Sequence, residues 1–225
     1  MIDNALVVFA RHPVAGRVKR RLAEQLGDAA TDEIYRAFLA DWADRAGAAS
    51  EWTTLWAYTP NDSRFEQDFA RGQPAFPQRG ADLGERMRAA MEDTLARGHR
   101  AVAIVGADVP HLPASSISRA FAALAAGKDL ALAPAADGGY ALIAACRVPD
   151  VFSGVDWGTS GVLATTLDLA RRVGLAVELL PETFDVDRLA DLECLAAELA
   201  AGRLGPLPAT SRALAATLSR RTSRV

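Results

Sequence analysis

Four stretches of this 225-residue chain carry side chains suited to chemistry on a charged substrate. The first, RHPVAGRVKRRL at 11–22, gathers Arg11, Arg17, Lys19, Arg20 and Arg21 around Pro13 and Gly16. Pro and Gly permit a tight turn that passes close to a ligand. A helix starting near Val18 would aim its N-terminal N–H groups at that ligand. Basic side chains have the wrong sign for a helix N-terminus, so they stabilise little there unless an anion is bound. On this reading Lys19 lies in the first helical turn and costs the unliganded protein ~0.3–1 kcal/mol. The stretch reads either as a phosphate-binding loop or as a solvated, basic helix start. The loop is neither GxxxxGKS/T nor GxGxxG, which disfavours a P-loop and leaves the dinucleotide fingerprint absent.

The other three stretches, GADVP, FDVD and DGGY, carry carboxylates and glycines, and QRGADLGERM and DWGTS add further candidates. Asp108 stands in GADVP, directly after an apolar run. A carboxylate facing a cationic phosphate loop suits Mg²⁺, which binds through one or two carboxylates plus phosphate oxygens. Asp185 and Asp187, in FDVD, are candidates for the second ligand, and Asp187 could also cap the helix that follows. DVDRL resembles the nucleophile motif of haloacid-type phosphatases, but that motif follows a first strand and this one follows a last. Asp137-Gly138-Gly139-Tyr140 reads either as a plain hairpin turn or as a turn facing substrate. In QRGADLGERM, Gly80, Asp82, Leu83 and Gly84 open a helix. Gly84 would let a flat base or ribose approach the backbone, while Asp82 with Glu85 is equally a capping box. Trp157 and Thr159 precede another helix, Thr159 as a candidate N-cap and Trp157 as a candidate lid. His12, His99 and His111 have no metal-ligand spacing, and neither GxSxG nor a Cys–His nucleophile pattern is present.

The elements that must position these residues alternate. Strands are expected at 4–10, 52–58, 101–106, 129–134, 139–145 and 175–180. Helices are expected at 28–47, 62–71, 82–97, 115–126, 159–173, 188–201 and 209–221. Such alternation means βαβ units and a mostly parallel sheet covered on both faces. Only AADG separates 129–134 from 139–145, too little for a crossover, so an antiparallel hairpin is expected there. The segment 72–80, rich in Pro and Gly, reads as a loop. All four chemical stretches follow strands, and ligands of open α/β sheets bind beyond the carboxyl ends of strands. One domain is expected over 1–202, with a basic helical tail at 203–225 that is solvated or frayed.

Half of the residues are hydrophobic and the formal net charge is −3. The acidic balance argues against general nucleic-acid binding and makes the positive charge at 11–21 local. No apolar run reaches the roughly 18 residues of a membrane span. No secretory leader is evident, and Cys146 and Cys194 form no CxxC pair, which fits a reducing cytoplasm.

Taken together, RHPVAGRVKRRL, ADLGERM, GADVPHLP, APAADGGYALIA, DWGTSGV and FDVDRLADL resemble the bacterial "transferase 1" family associated with radical-SAM and selenodomain proteins, described as arsenosugar-biosynthesis glycosyltransferases. That family is similar to the GT-A nucleotide-diphospho-sugar transferases and to the molybdenum-cofactor and phospholactate guanylyltransferases. The resemblance implies a single GT-A-like three-layer α/β sandwich with a mixed, mostly parallel sheet. It implies Mg²⁺ (or Mn²⁺) bridging nucleotide phosphates, held by Asp108 and by Asp187 or Asp185. Arg11, Gly16, Lys19 and Arg21 would bind the phosphates, with Lys19 and Asp108 catalytic. Gly80, Asp82, Leu83 and Gly84 would flank base and ribose. Asp137, Gly138, Gly139, Tyr140, Trp157 and Thr159 would face sugar or acceptor. It implies transfer from a nucleotide-sugar to a small acceptor, with nucleotidyl transfer and a non-catalytic nucleotide-binding protein as alternatives. The chain departs from the family at Arg11 (usually Lys), Arg20 (usually Thr), Ala107 (usually Thr) and His111 (usually Asp), and it lacks the Thr-Pro after Asp187.

Overall fold

The computed structural model describes residues 3–13 and 18–222. Gly16 and Arg17 of the basic loop therefore lie outside the described residues. Seven strands form one sheet among those described: β1 (Asn4–Arg11), β2 (Thr53–Thr59), β3 (Ala75–Pro77), β4 (Ala101–Gly106), β5 (Leu130–Pro134), β6 (Tyr140–Ala145) and β7 (Val177–Leu179). Their order is β3-β2-β1-β4-β6-β5-β7. β6 runs antiparallel to β4 and to β5, and the other pairings are parallel. The expected hairpin at 135–138 is thus present, and it inserts the reversed strand into a parallel sheet.

The apolar runs form strands because both of their faces are covered. In β1, Ala5 and Val7 face one apolar layer while Leu6, Val8 and Ala10 face the other. The second layer is closed by α1 (Arg20–Leu26), α2 (Asp28–Ala48), α4 (Ala114–Ala125), α6 (Leu189–Ala200) and α7 (Pro208–Thr222). The first is closed by α3 (Leu83–Ala96) and α5 (Val162–Arg172). The result is the expected three-layer α/β sandwich.

Several elements differ from expectation. β3 forms within the segment read as a loop; three residues ending in Pro77 leave no alternation to recognise, and an edge strand tolerates Pro. The helix expected at 62–71 narrows to a short segment ending in a π-helical turn at Glu66–Ala70. The C-terminal helix is not a frayed appendage. α7 buries Leu207, Ala213 and Leu214, and the buried Asp41 carboxylate accepts hydrogen bonds from Ala209 N (2.9 Å) and Thr210 N (2.8 Å). Among the described residues no helix is long and apolar enough to cross a membrane.

Candidate active site

From β1 the chain moves outward through β2 and β3, then returns to the other side of β1 as β4. The β1/β4 boundary is the topological switch point, where open α/β sheets bind ligands beyond the strand ends. A cleft of about 640 Å³ opens there. Its walls include Arg11, Lys19, Arg21, Leu83, Asp108, Asp137, Gly139, Tyr140, Trp157, Thr159, Asp185 and Asp187. The four stretches that follow strands, widely spaced in sequence, thus meet at one cavity through their described residues, and QRGADLGERM contributes Gln78, Leu83, Arg86 and Met87.

Lys19 is the hub. It does not lie in the first turn of α1 but one residue before it, at the N-cap position, with φ 46° and ψ 52°. This left-handed conformation is uncommon for a side chain other than Gly, Asn or Asp. It turns the ammonium away from the helix and onto the strand ends. Nζ lies 2.8 Å from Asp108 Oδ2 and 3.7 Å from Asp187 Oδ1. Arg21 Nη1 donates to the other Asp187 oxygen at 3.0 Å. Burial works to lower the Lys19 pKa, but the Asp108 and Asp187 carboxylates outweigh it and hold the ammonium above its ordinary value. Burial likewise works to raise Asp108, and the Lys19 ammonium outweighs it and holds the carboxyl below the usual range. The expected cost of Lys19 to the unliganded protein is therefore reversed, because its charge faces carboxylates rather than helix N–H groups.

Asp108 owes its orientation to the residue two before it. A Cβ on Gly106 would collide with Asp108 Oδ1, so a side chain there would displace the carboxylate. Asp187 is free of the capping role expected for it. Arg188 takes the N-cap position of α6, and Asp191 Oδ2 accepts from Asp187 N (3.0 Å) and Arg188 N (2.7 Å). Asp185 lies beside the pair; burial first, and then repulsion from Asp108, push its carboxyl up to about 6. One cation, the Lys19 ammonium, already bridges Asp108 and Asp187. Their oxygens are therefore well within the roughly 10 Å beyond which a shared metal ion would fail. Among the described residues no cluster of three or more side-chain ligands closes a metal cage. Mg²⁺ does not need one, since it takes one or two carboxylates and completes its shell with waters and phosphate oxygens. Asp108 and Asp187, with Asp185 alongside, form a donor set of that kind.

The opposite wall is less polar. The 135–139 turn is closed by Gly139 N donating to Asp137 Oδ1 (2.9 Å). Gly138, at φ +90°, packs so closely on Ser160 O that a Cβ would collide with it. Gly138 O accepts from Leu163 N at 2.9 Å, which ties the turn to the start of α5. Thr159 is not the cap of that helix; Gly161 is, and Thr159 Oγ1 donates to Asp156 O at 2.9 Å. Trp157 packs edge-on to Tyr140, with ring centroids 6.4 Å apart. Its indole also covers Gly84, where a Cβ would come within 2.6 Å of the ring. The open backbone at Gly84 thus receives a tryptophan of this chain. Asp82 caps α3 by accepting from Glu85 N at 2.8 Å. Leu83 lines the cavity, whereas Gly80, Asp82, Gly84 and Gly138 do not.

Other lining residues carry no sequence signal. Tyr35, from α2, accepts a hydrogen bond from Arg11 N at 2.9 Å and braces the end of β1. Gln78 donates through Nε2 to Ala57 O at 2.9 Å, bridging strand ends. Arg86 donates through Nε to Gly80 O at 3.1 Å. Gln78 and Arg86 flank the ADLG stretch. Their position beyond a strand end would have marked them, had β3 been recognisable.

This sheet order, with its reversed β6 and its cleft at the β1/β4 switch, is the fold of the nucleotide-diphospho-sugar transferases. A structure from Desulfovibrio desulfuricans G20, provisionally named a nucleotide-diphospho-sugar transferase, superposes with a TM-score of 0.86 over 98% of both chains at 31% identity. A cytidylyltransferase from Leptospira borgpetersenii shares the fold alone, with a TM-score of 0.56 at 13% identity over 99% of this chain and 96% of its own. Residues 42–159 match the family described as "Uncharacterized protein conserved in bacteria (DUF2064)", and the chain belongs to that family. It is also 31% identical, over 82% of its length and 89% of the other's, to a phosphoenolpyruvate guanylyltransferase from Sphaerobacter thermophilus.

Proposed function

We propose that this chain is a divalent-cation-dependent nucleotidyltransferase, joining a nucleoside monophosphate to a small acceptor with release of pyrophosphate. The observation that carries the reading is the Lys19 ammonium held between Asp108 and Asp187 in the wall of the cleft. It supplies cation and carboxylate side by side where a triphosphate would lie. A bound Mg²⁺ would be held by Asp108 and Asp187, and would offset charge on the phosphate oxygens. Lys19 and Arg21 then stabilise charge developing on the transferred and leaving phosphates. Arg11, at the end of β1, lines the phosphate side of the same cleft. An acceptor oxygen forms a bond to the α-phosphorus, the bond from that phosphorus to the β-phosphate oxygen breaks, and the acceptor proton passes to solvent. Asp137, Gly139, Tyr140, Trp157 and Thr159 orient the acceptor. The kinship with a guanylyltransferase supports this reading and makes GTP the first nucleotide to try.

A second reading, glycosyl transfer from a nucleotide-sugar, draws on the Desulfovibrio relative and on the motif resemblance to radical-SAM-associated transferases. A thermal-shift panel of nucleoside triphosphates and nucleotide-sugars, with and without Mg²⁺, separates the two. A ligand at about 100 Kd stabilises by roughly 2.7 kcal/mol. Mg²⁺-dependent stabilisation by a triphosphate alone supports nucleotidyl transfer. Stabilisation by nucleotide-sugars alone moves the assignment to glycosyl transfer, and a response to neither class refutes both.

A further inference from the structure

Asp108 follows β4, whereas Asp185 and Asp187 follow β7, and β6 and β5 lie between those strands. Three strand spacings of ~4.8 Å put the two strand ends ~14 Å apart. The chain after β7 must cross that distance to deliver its carboxylates. It does so along the top of β5, through Leu180 N to Leu132 O (2.8 Å) and Thr183 N to Pro134 O (2.9 Å). It then lands on the β4 loop, where Val186 N donates to Asp108 O at 3.1 Å.

His111 stands at that landing. It is 5% exposed, and its ring stacks on Phe184 with centroids 4.2 Å apart at 29°. Its Nε2 lies 3.2 Å from Thr183 Oγ1. A hydroxyl both donates and accepts, so either tautomer of the imidazole can make this bond. The far side of the same loop is braced from α2. The Arg45 guanidinium donates to Leu112 O at 2.7 Å and to Pro110 O, the carbonyls on either side of His111. Arg45 is itself stacked 4.4 Å above the Trp42 ring. A rigid bracket therefore runs from α2 through the 110–112 turn to the two residues that precede Asp185.

We propose that His111 is a positioning residue, which clamps the loop after β7 onto the loop after β4 and so sets Asp185 and Asp187 at their working distance from Asp108. The proposal rests on reading those carboxylates as the cation-holding set. Outer partners of this kind typically change metal affinity by 10–100-fold when removed.

The test uses the full chain as wild type, His111→Ala and His111→Gln. Mn²⁺ affinity is measured by electron paramagnetic resonance with the metal alone, and hydrogen exchange of individual amides by NMR. In His111→Ala, Mn²⁺ affinity falls 10–100-fold and the Val186 amide loses protection, while amides of β1 and β5 keep theirs. His111→Gln, which can still reach Thr183, recovers part of both. If His111→Ala binds Mn²⁺ as wild type does with Val186 still protected, or if all amides lose protection together, the proposal is overturned. If wild type binds no Mn²⁺, the reading of the carboxylates fails, and Val186 protection alone decides whether His111 clamps the loop. Should His111→Ala not fold, His111→Gln against wild type decides by the same two readouts.

Discussion

Lys19 combines a left-handed backbone with an ammonium buried against two carboxylates, and both features shape what its mutants will do. Lys19→Met leaves Asp108 and Asp187 facing each other without a cation. Removing one partner of a buried pair costs ~3–5 kcal/mol. These carboxylates are about one-third exposed, which reduces the expected loss to about 1–3 kcal/mol in urea unfolding of the unliganded protein. A helix-dipole argument gives the opposite sign, so unchanged or higher stability would place Lys19 outside the carboxylate pair. His111 yields a second prediction. Burial, and then the Arg45 charge, lower its pKa to about 4. The folded protein holds the imidazole neutral, whereas the unfolded chain takes up a proton below ~6.5. The neutral ring's contribution is therefore complete above pH ~6.5 and is lost as pH falls toward 4, by up to about 3 kcal/mol. Between pH 7 and 4 wild type should lose stability relative to His111→Gln by up to about 3 kcal/mol, and the difference should stay constant below pH 4.

Short connections between elements fix the site more than the elements do. Gly106→Ala would keep β4, but its Cβ displaces the Asp108 carboxylate. A melting temperature within a few degrees of wild type, together with at least tenfold weaker Mn²⁺ binding, is expected; unchanged binding would mean Asp108 holds no cation. The strand ends that carry chemistry were legible in the sequence because β1 and β4 are continuous apolar runs, buried on both faces. Residue types at those ends, basic after β1 and acidic after β4 and β7, then pointed to one sheet edge. What stayed hidden was anything set by contact between distant elements. The left-handed Lys19, the Trp157 cover over Gly84 and the Arg45–His111 bracket each depend on a partner between about 65 and 90 positions away. β3 stayed hidden for another reason, since three residues ending in proline give no periodicity to read.

At the scale of the molecule, the sheet carries an apolar helical layer on each face, and α7 belongs to one of them. α7 packs on α2 and covers Leu207, Ala213 and Leu214, and the Asp41 carboxylate caps its start. Ending the chain at Gly202 exposes apolar surface and strands a buried carboxylate. The expected loss is on the order of 3–6 kcal/mol, seen as a broad or absent thermal transition. A sharp transition near the wild-type temperature would make 203–225 dispensable. The central claim is that the cleft at the β1/β4 switch binds a nucleotide triphosphate through a cation shared by Asp108 and Asp187. The most direct measurement is a crystal structure with Mn²⁺ and a non-hydrolysable GTP analogue, read through the manganese anomalous signal. The account predicts one peak in contact with Asp108 and Asp187, with the Lys19 ammonium moved from the carboxylates onto a phosphate oxygen. A nucleotide bound elsewhere, or bound in the cleft with Lys19 still bridging the two aspartates and no peak beside them, would contradict it.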